Sequence, residues 1–303
     1  MNTKSLVVKD NRLIEASYSL CITEQRLILM AIAWARQNDV ELTRDTWVEL
    51  RATDYSTLYG VDLEVSYKQL SAACESLQDR KLKVAGIDQM TRAPAVYVSN
   101  WVTSAIYVKN VGLVRIQFDA MLVPYVSDLD SHFTSYTLGA VCGLSSNYAI
   151  RLYELLTQYK KIGKRTIMIG DLKDYLECDL PSYQRLDNFK SRVVDAALSQ
   201  INQFTDITCE YDLNKLGKRV IGFDFKIKTK QATIKQVKPK PTKPAASPAP
   251  APSVALSMSE RAMLREINES RATADRLTDR QVFNMCRDQS TEPFLLLNAL
   301  LKA

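Results

Sequence analysis

Between Thr23 and Gln37 the apolar residues Leu27, Met30, Ala31 and Trp34 recur at spacings of three and four. Leu29 and Ile32 widen that stripe, which predicts a well-buried helix whose start is capped and charged by Thr23 and Glu24. A short strand is expected over 46–50, a turn at Thr53-Asp54, and a short helix over 56–59 that Gly60 stops. A longer helix over 63–79 places Tyr67, Leu70, Cys74 and Leu77 on one side and Glu64, Lys68, Ser71 and Glu75 on the other. Alternating segments follow at 81–84, 95–102, 104–109 and 113–118, with turns at 86–94 and 110–112. Helices followed by a twisted hairpin are the element order of a winged helix.

The order then recurs. A helix is expected over 147–161, a short strand over 166–169, a short helix over 170–176 and a long helix over 186–204. A hairpin of 207–211 and 220–227 follows, with its tip at 212–219. No residue-level repeat accompanies the similarity of order. The expected fold class is α+β: two tandem winged-helix domains at 6–125 and 133–228, then a Pro/Lys-rich linker and a small helical C-terminal tail.

The linker, 229–253, is read from composition. Six of the ten prolines fall between 239 and 252, among Lys, Ala and Ser, a mixture that favours extended conformations and buries no core. Beyond it, 254–303 offers three short helical patterns, starting after Ser257 or Ser259, at Leu277 and at Pro293. Such a segment is marginal as an independent fold, so its ordering is expected against a partner.

Charge narrows the partner. Seven lysines and no acidic residue lie between 226 and 253, and 254–303 balances, so of the net charge of +6 the first 225 residues carry −1. A polyanion must therefore be met by local patches, because attraction to phosphate acts over a Debye length of about 8–10 Å. Six scattered cysteines without a CxxC pair, and a single histidine, His132, argue against a zinc module and for free thiols in a reducing compartment. The start MNTKSLVVKDN lacks a signal-peptide core and no apolar run reaches membrane-spanning length, so the expectation is a soluble, cytoplasmic protein.

Enzyme chemistry fails by subtraction. Gly163-Lys164 and Gly217-Lys218 lack both the preceding glycine and the following hydroxyl of a phosphate loop. One histidine supplies neither a paired-histidine metal site nor a zinc hydrolase, and His132 beside Phe133 reads as a packing or surface residue. Asp128 and Asp130 read as loop solvation. No catalysis and no cofactor are expected.

A DNA-binding reading would rest on the helix after Pro181. Phe189, Val193, Ala197 and Ile201 fall on one side, while Arg185, Asn188, Arg192, Asp195 and Ser199 repeat on the other. Arg and Asn present planar groups that pair with guanine and adenine edges in the major groove. The alternative is an ordinary solvated face, since Asp187 and Asp195 dilute its charge.

The wording of three segments then matters. Phe133-Thr-Ser-Tyr-Thr-Leu138, the stretch Ser145 to Lys160 with Tyr148, Arg151, Leu152 and Tyr153, and the run Tyr183 to Val194 together resemble the iteron-binding replication initiators of bacterial plasmids. The resemblance covers about residues 6–228. It implies that the second domain sets its long helix in the major groove, with Lys190 and Arg192 as leading contacts and Arg185, Asn188 and Ser191 as further ones. Ser191 interrupts a basic run that is often fuller in the family. The tip residues Lys215, Lys218 and Arg219 would touch the neighbouring backbone or minor groove. Lys160, Lys161, Lys164 and Arg165 fit phosphate contacts, with a solvated loop as the alternative. Tyr148, Arg151, Leu152 and Tyr153 read as structural, Arg151 being the one phosphate candidate among them.

In the first domain Lys68, Arg80, Lys81, Lys83 and Arg92 would make accessory phosphate contacts, and the family also dimerises there. Leu113–Tyr125, with Phe118, Leu122 and Pro124, resembles the bridge between domains. Implied partners are double-stranded origin DNA, an operator inverted repeat, a second copy of the chain, and the host DnaA and replicative helicase. A dimeric transcription regulator on one palindrome, or a helical scaffold without a DNA role, are the alternatives.

Overall fold

The structure, a computed structural model, describes residues 1–230 apart from 89, 109–110, 128–131 and 179. The helical tail, most of the linker, and the Asp128/Asp130 pair lie outside the described residues.

The chain opens with elements that its polar pattern hides: β1 (Leu6–Asp10), α1 (Asn11–Ile14) and β2 (Ser17–Tyr18). Val7, Val8, Lys9 and Asp10 are all buried, so β1 shows none of the alternation of a half-exposed strand. Then come α2 (Ile22–Gln37), β3 (Val48–Arg51), α3 (Ala52–Tyr59) and α4 (Leu63–Ser76). The apolar spacing located α2 and α4 to within one and three residues at their ends, and Gly60, at φ 62°, stops α3 in the left-handed conformation that glycine tolerates. Next are β4 (Lys81–Ile87), β5 (Pro94–Asn100), β6 (Val102–Val108) and β7 (Leu113–Phe118).

The second half holds β8 (Phe133–Thr137), α5 (Gly139–Cys142), α6 (Asn147–Thr157), β9 (Lys164–Met168) and α7 (Ile169–Leu176). The long helix is α8 (Leu186–Phe189), a π-helical segment Lys190–Asp195, and α9 (Ala196–Phe204). The hairpin β10 (Ile207–Leu216) and β11 (Arg219–Thr229) closes it. Its strands run further than expected, Leu216 facing Arg219, so the turn is only Gly217-Lys218 and Gly217 supplies the positive φ of 62°.

Sheet order displays the duplication that residue identity conceals. β3–β7–β6 in the first half and β9–β11–β10 in the second have the same order, each with the first strand paired to the last. In each half helices precede the first strand and connect it to the hairpin, which makes two winged helices. The first half differs by the inserted hairpin β4–β5, whose free side at β4 takes β2. Leu113–Phe118, expected as a strand and as the start of a bridge running to Tyr125, is the central strand of the first sheet.

Residues Met1–Thr233 form one compact unit. Its halves are stitched by β1, which crosses to pair antiparallel with β8 from Leu6↔Thr137 to Asp10↔Phe133. Below that ladder lies a buried polar cluster. Lys9, 1% exposed, donates to Glu154 Oε1 at 2.7 Å, and the hydroxyl of Tyr136 donates to the same oxygen. Arg151 donates to the Tyr18 hydroxyl, to the Ala16 carbonyl at 2.7 Å and to the Tyr175 carbonyl at 2.8 Å. Buried charges persist only when paired and hydrogen-bonded, and this cluster takes its members from β1, β2, α6, α7 and β8. In the apolar core, Trp101, Phe118, Phe189, Phe223 and Phe225 are fully enclosed; burial of a phenylalanine side chain is worth about 1.5–3 kcal/mol.

Candidate nucleic-acid interface

The long helix of the second half has one dry face and one wet face. Phe189, Val193, Val194, Ala197 and Ile201 are buried, Phe189 packing at 6.3 Å from Phe223 of β11. Arg185, Ser191, Arg192, Ala196 and Ser199 are exposed. Arg185 stands at the N-cap in extended backbone. Among the described residues, the side chains of Arg185 and Arg192 have no hydrogen bond or ion pair, so both guanidiniums keep their donors for a partner. The other predicted contacts are engaged inside the protein. Asn188 Nδ2 donates to the Ser182 carbonyl at 3.0 Å, and Ser191 Oγ donates to the Asp187 carbonyl at 2.8 Å. Lys190 Nζ donates to Asp195 Oδ2 at 3.4 Å.

That last pair changes the predicted face. Residues five apart on an α-helix stand roughly 140° around the axis from each other. In the π-helical stretch Lys190–Asp195 the i→i+5 spacing brings the two side chains together. Asp195, expected beside Arg192 and Ser199, instead turns toward Lys190 and the hairpin, where it accepts a 2.6 Å bond from the Tyr211 hydroxyl, and Ala196 takes the exposed position. Burial, and then Asp195, push the Tyr211 phenol up. Asp195 and Tyr211 as a pair escaped the sequence reading because a period of 3.6 residues places position 195 on the wrong side.

Beside the helix, the β10–β11 tip presents Lys215, Lys218 and Arg219, all exposed and without internal partners among the described residues. A bulge between Asn214 and Lys215 turns the end of the strand. The predicted basic loop after α6 divides. Lys161 and Lys164 are exposed, whereas Lys160 bonds Asp206 Oδ2 at 2.6 Å. Burial works against the Asp206 carboxylate, but hydrogen bonds from Lys160 and Tyr153 hold its pKa below the ordinary value.

Arg165 is withdrawn from any phosphate: at 7% exposure it donates to the Leu155 carbonyl, to Gln158, and to Glu15 Oε1 at 2.7 Å, so its charge faces the fold. Arg151, 3% exposed in the polar cluster, is withdrawn for the same reason.

In the first half the equivalent helix, α4, shows a different surface. Lys68 pairs with Glu64 at 2.8 Å one turn away, and Glu75 is exposed nearby. Arg80 is tied to Glu24 at 2.9 Å. Burial opposes ionisation of Glu24, yet bonds from Ser76 Oγ, Arg80 and the Cys21 N–H hold its carboxyl below the usual range. Lys81 and Lys83 are exposed on alternate positions of β4, and Arg92 is exposed in the turn beyond it at φ 60°. His132 is also at φ 60° and its carbonyl accepts the Asn11 N–H. Among the described residues no group of three metal-ligating side chains occurs, and no helix is long and apolar enough to cross a membrane.

Comparison with known proteins agrees with this architecture. An "Uncharacterized 27.6 kDa protein" of Escherichia coli is 26% identical over 243 residues, 76% of this chain and 97% of that protein. The "PI protein" of Escherichia coli is 24% identical over 238 residues, 69% of this chain and 77% of that protein. The crystal structure of Pi initiator protein in complex with iteron DNA superposes with a TM-score of 0.62 at 22% identity, covering 75% of this chain and 98% of that one. Residues 6–157 match the first winged-helix part of the initiator replication proteins, "Initiator Replication protein, WH1", and residues 168–227 match the second, "Initiator Rep protein, WH2". Two winged helices in the right order, matched over most of the chain, place this protein in the initiator replication protein family.

Proposed function

We propose that this chain initiates plasmid replication by binding iteron repeats at its origin. The long helix of the second half enters the major groove, and the β10–β11 tip lies against the adjoining backbone. One observation carries the assignment: Arg185 and Arg192 stand exposed and unengaged on a helix whose opposite face is sealed into the core. Arg192 reads base edges, Arg185 supports it, and Lys215, Lys218 and Arg219 hold phosphates. The first domain, 6–125, adds phosphate contacts through Lys81, Lys83 and Arg92 and carries self-association. The outward side of its inserted hairpin supports the latter role, with Ile87, Val96 and Val98 at 60, 64 and 58% exposure. Binding strains the duplex toward opening, a dimer represses the chain's own gene, and the host initiator DnaA and helicase are recruited by protein contact in the cytoplasm. No nucleotide is consumed.

A nuclease footprint on DNA flanking the gene tests this. Regularly spaced protection over direct repeats, abolished by Arg192→Ala, is the expected result. Protection of a single palindrome would make the protein a repressor instead, and no protection would remove DNA from its function.

A further inference from the structure

The π-helical segment sits in the element assigned to the major groove, and its one internal ion pair withholds a cation from that groove. Lys190 Nζ and Asp195 Oδ2 are 3.4 Å apart, with 38% and 41% of their side chains exposed. Asp195 is itself held by the Tyr211 hydroxyl at 2.6 Å. Tyr211 is anchored in turn, its ring 5.2 Å from Phe223 and 5.9 Å from Phe225 inside the hairpin. One carboxylate thus ties the groove-facing helix to the hairpin that bears the phosphate-binding tip.

Resting on the iteron-binding assignment, we propose that Asp195 is a positioning residue for selectivity. It clamps Lys190 and the π turn in a neutral arrangement that random DNA does not open, and Lys190 is surrendered to phosphate only on a fitting repeat. The charges explain why such a clamp works. Along Leu186–Asp195 the cations Lys190 and Arg192 are matched by Asp187 and Asp195, so freeing Lys190 gives this segment a second unpaired cation beside Arg192. Affinity for arbitrary DNA comes from counterion release and grows with each free cation, whereas base contacts carry sequence. A half-exposed ion pair is weak, so a phosphate held in register by correct base contacts can take Lys190 from Asp195. A duplex in wrong register cannot also compensate the loss of the Asp195 arrangement.

The test measures affinity of the full chain for two duplexes, the repeat protected in the footprint and a scrambled sequence, across roughly 50–200 mM salt. Asp195→Asn, Lys190→Ala/Asp195→Asn and Tyr211→Phe are compared with the unmodified chain, each checked by circular dichroism and melting. Freeing Lys190 should steepen the salt dependence of Asp195→Asn on scrambled DNA by about 0.9 log units per log unit of salt. The preference for the repeat should fall roughly threefold at the low-salt end, the weight of one phosphate contact over that range. Adding Lys190→Ala should restore the original slope.

An unchanged slope in Asp195→Asn, or an increment that survives Lys190→Ala, overturns the proposal. Tyr211→Phe keeps both charges and the ring packing; it should shift preference in the same direction by a smaller factor, and it carries the test if Asp195→Asn does not fold. No change in Tyr211→Phe would then overturn the clamp. If the unmodified chain fails to prefer the repeat, the iteron assignment fails, while the slopes on scrambled DNA still decide whether Asp195 restrains Lys190.

Discussion

The two halves share a sheet order and a helix order, yet they offer different surfaces. In the second half, the helix leading into the hairpin leaves Arg185 and Arg192 unengaged, and the tip adds Lys215, Lys218 and Arg219. In the first half, the corresponding helix spends Lys68 on Glu64, and an inserted hairpin turns Val96 and Val98 outward. A shared fold therefore leaves the two halves with different side chains free on the solvent face. A cation already paired with its own neighbour contributes little to phosphate binding, and an exposed apolar strip contributes to association with protein.

The comparison is broken most severely at the joint between the halves. Glu154→Ala leaves Lys9 and Arg151 buried without their carboxylate, and removal of one member of a buried pair costs about 3–5 kcal/mol. Chemical denaturation should show that loss. A neutral result would mean that the polar cluster does not join the halves. Arg192→Ala comes next: a planar two-bond contact to a base is worth about 1–3 kcal/mol, so repeat affinity should fall by that amount with little change in stability. Equal losses on repeat and scrambled duplexes would move Arg192 from base to backbone.

Lys218→Ala with Arg219→Ala should weaken binding to every sequence and flatten the salt dependence by roughly 0.9 for each phosphate that is no longer neutralised. Lys68→Ala sharpens the contrast from the other side. Its ion pair is solvent-exposed and screened, so affinity and stability should each barely change; a loss as large as that of Arg192→Ala would erase the distinction between the helices.

The smallest effect is a pH dependence. The folded-state pKa values of Asp206 and Glu24 are depressed, so their stabilisation is fully present above their unfolded values near 4 and is lost as pH falls through the depressed ones. Asp206→Asn should lower stability at neutral pH by the amount the unmodified chain loses on acidification through that window, so its acid limb should be shallower and the two curves should converge at low pH. An unaltered acid limb would show that the Lys160–Asp206 pair does not contribute.

Legibility followed local periodicity. The helix 63–76 and the strand 113–118 were readable because each has one buried face, and the helix 22–37 because its apolar run, buried from Leu27 through Ala33, is too long for a strand. β1 was not, because Lys9 occupies a buried position that only Glu154, 145 residues away in sequence, makes tolerable. Arg165 read as a surface cation beside Lys160, Lys161 and Lys164, but strand β9 turns it inward onto Glu15, 150 residues away in sequence. On the long helix, the exposure of Arg192 was legible from spacing, while the pairing of Lys190 with Asp195 was not, since it depends on one wide turn in the helix.

By itself the sequence determined the duplicated order of helices and hairpins, the dry face of the long helix, and the family. These rest on contacts between residues a few positions apart and on burial of apolar stripes. Tertiary structure alone decided which cations remain free. Whether an arginine or lysine meets solvent, a carbonyl or a carboxylate depends on partners that the chain brings from far away, and no local pattern encodes their arrival.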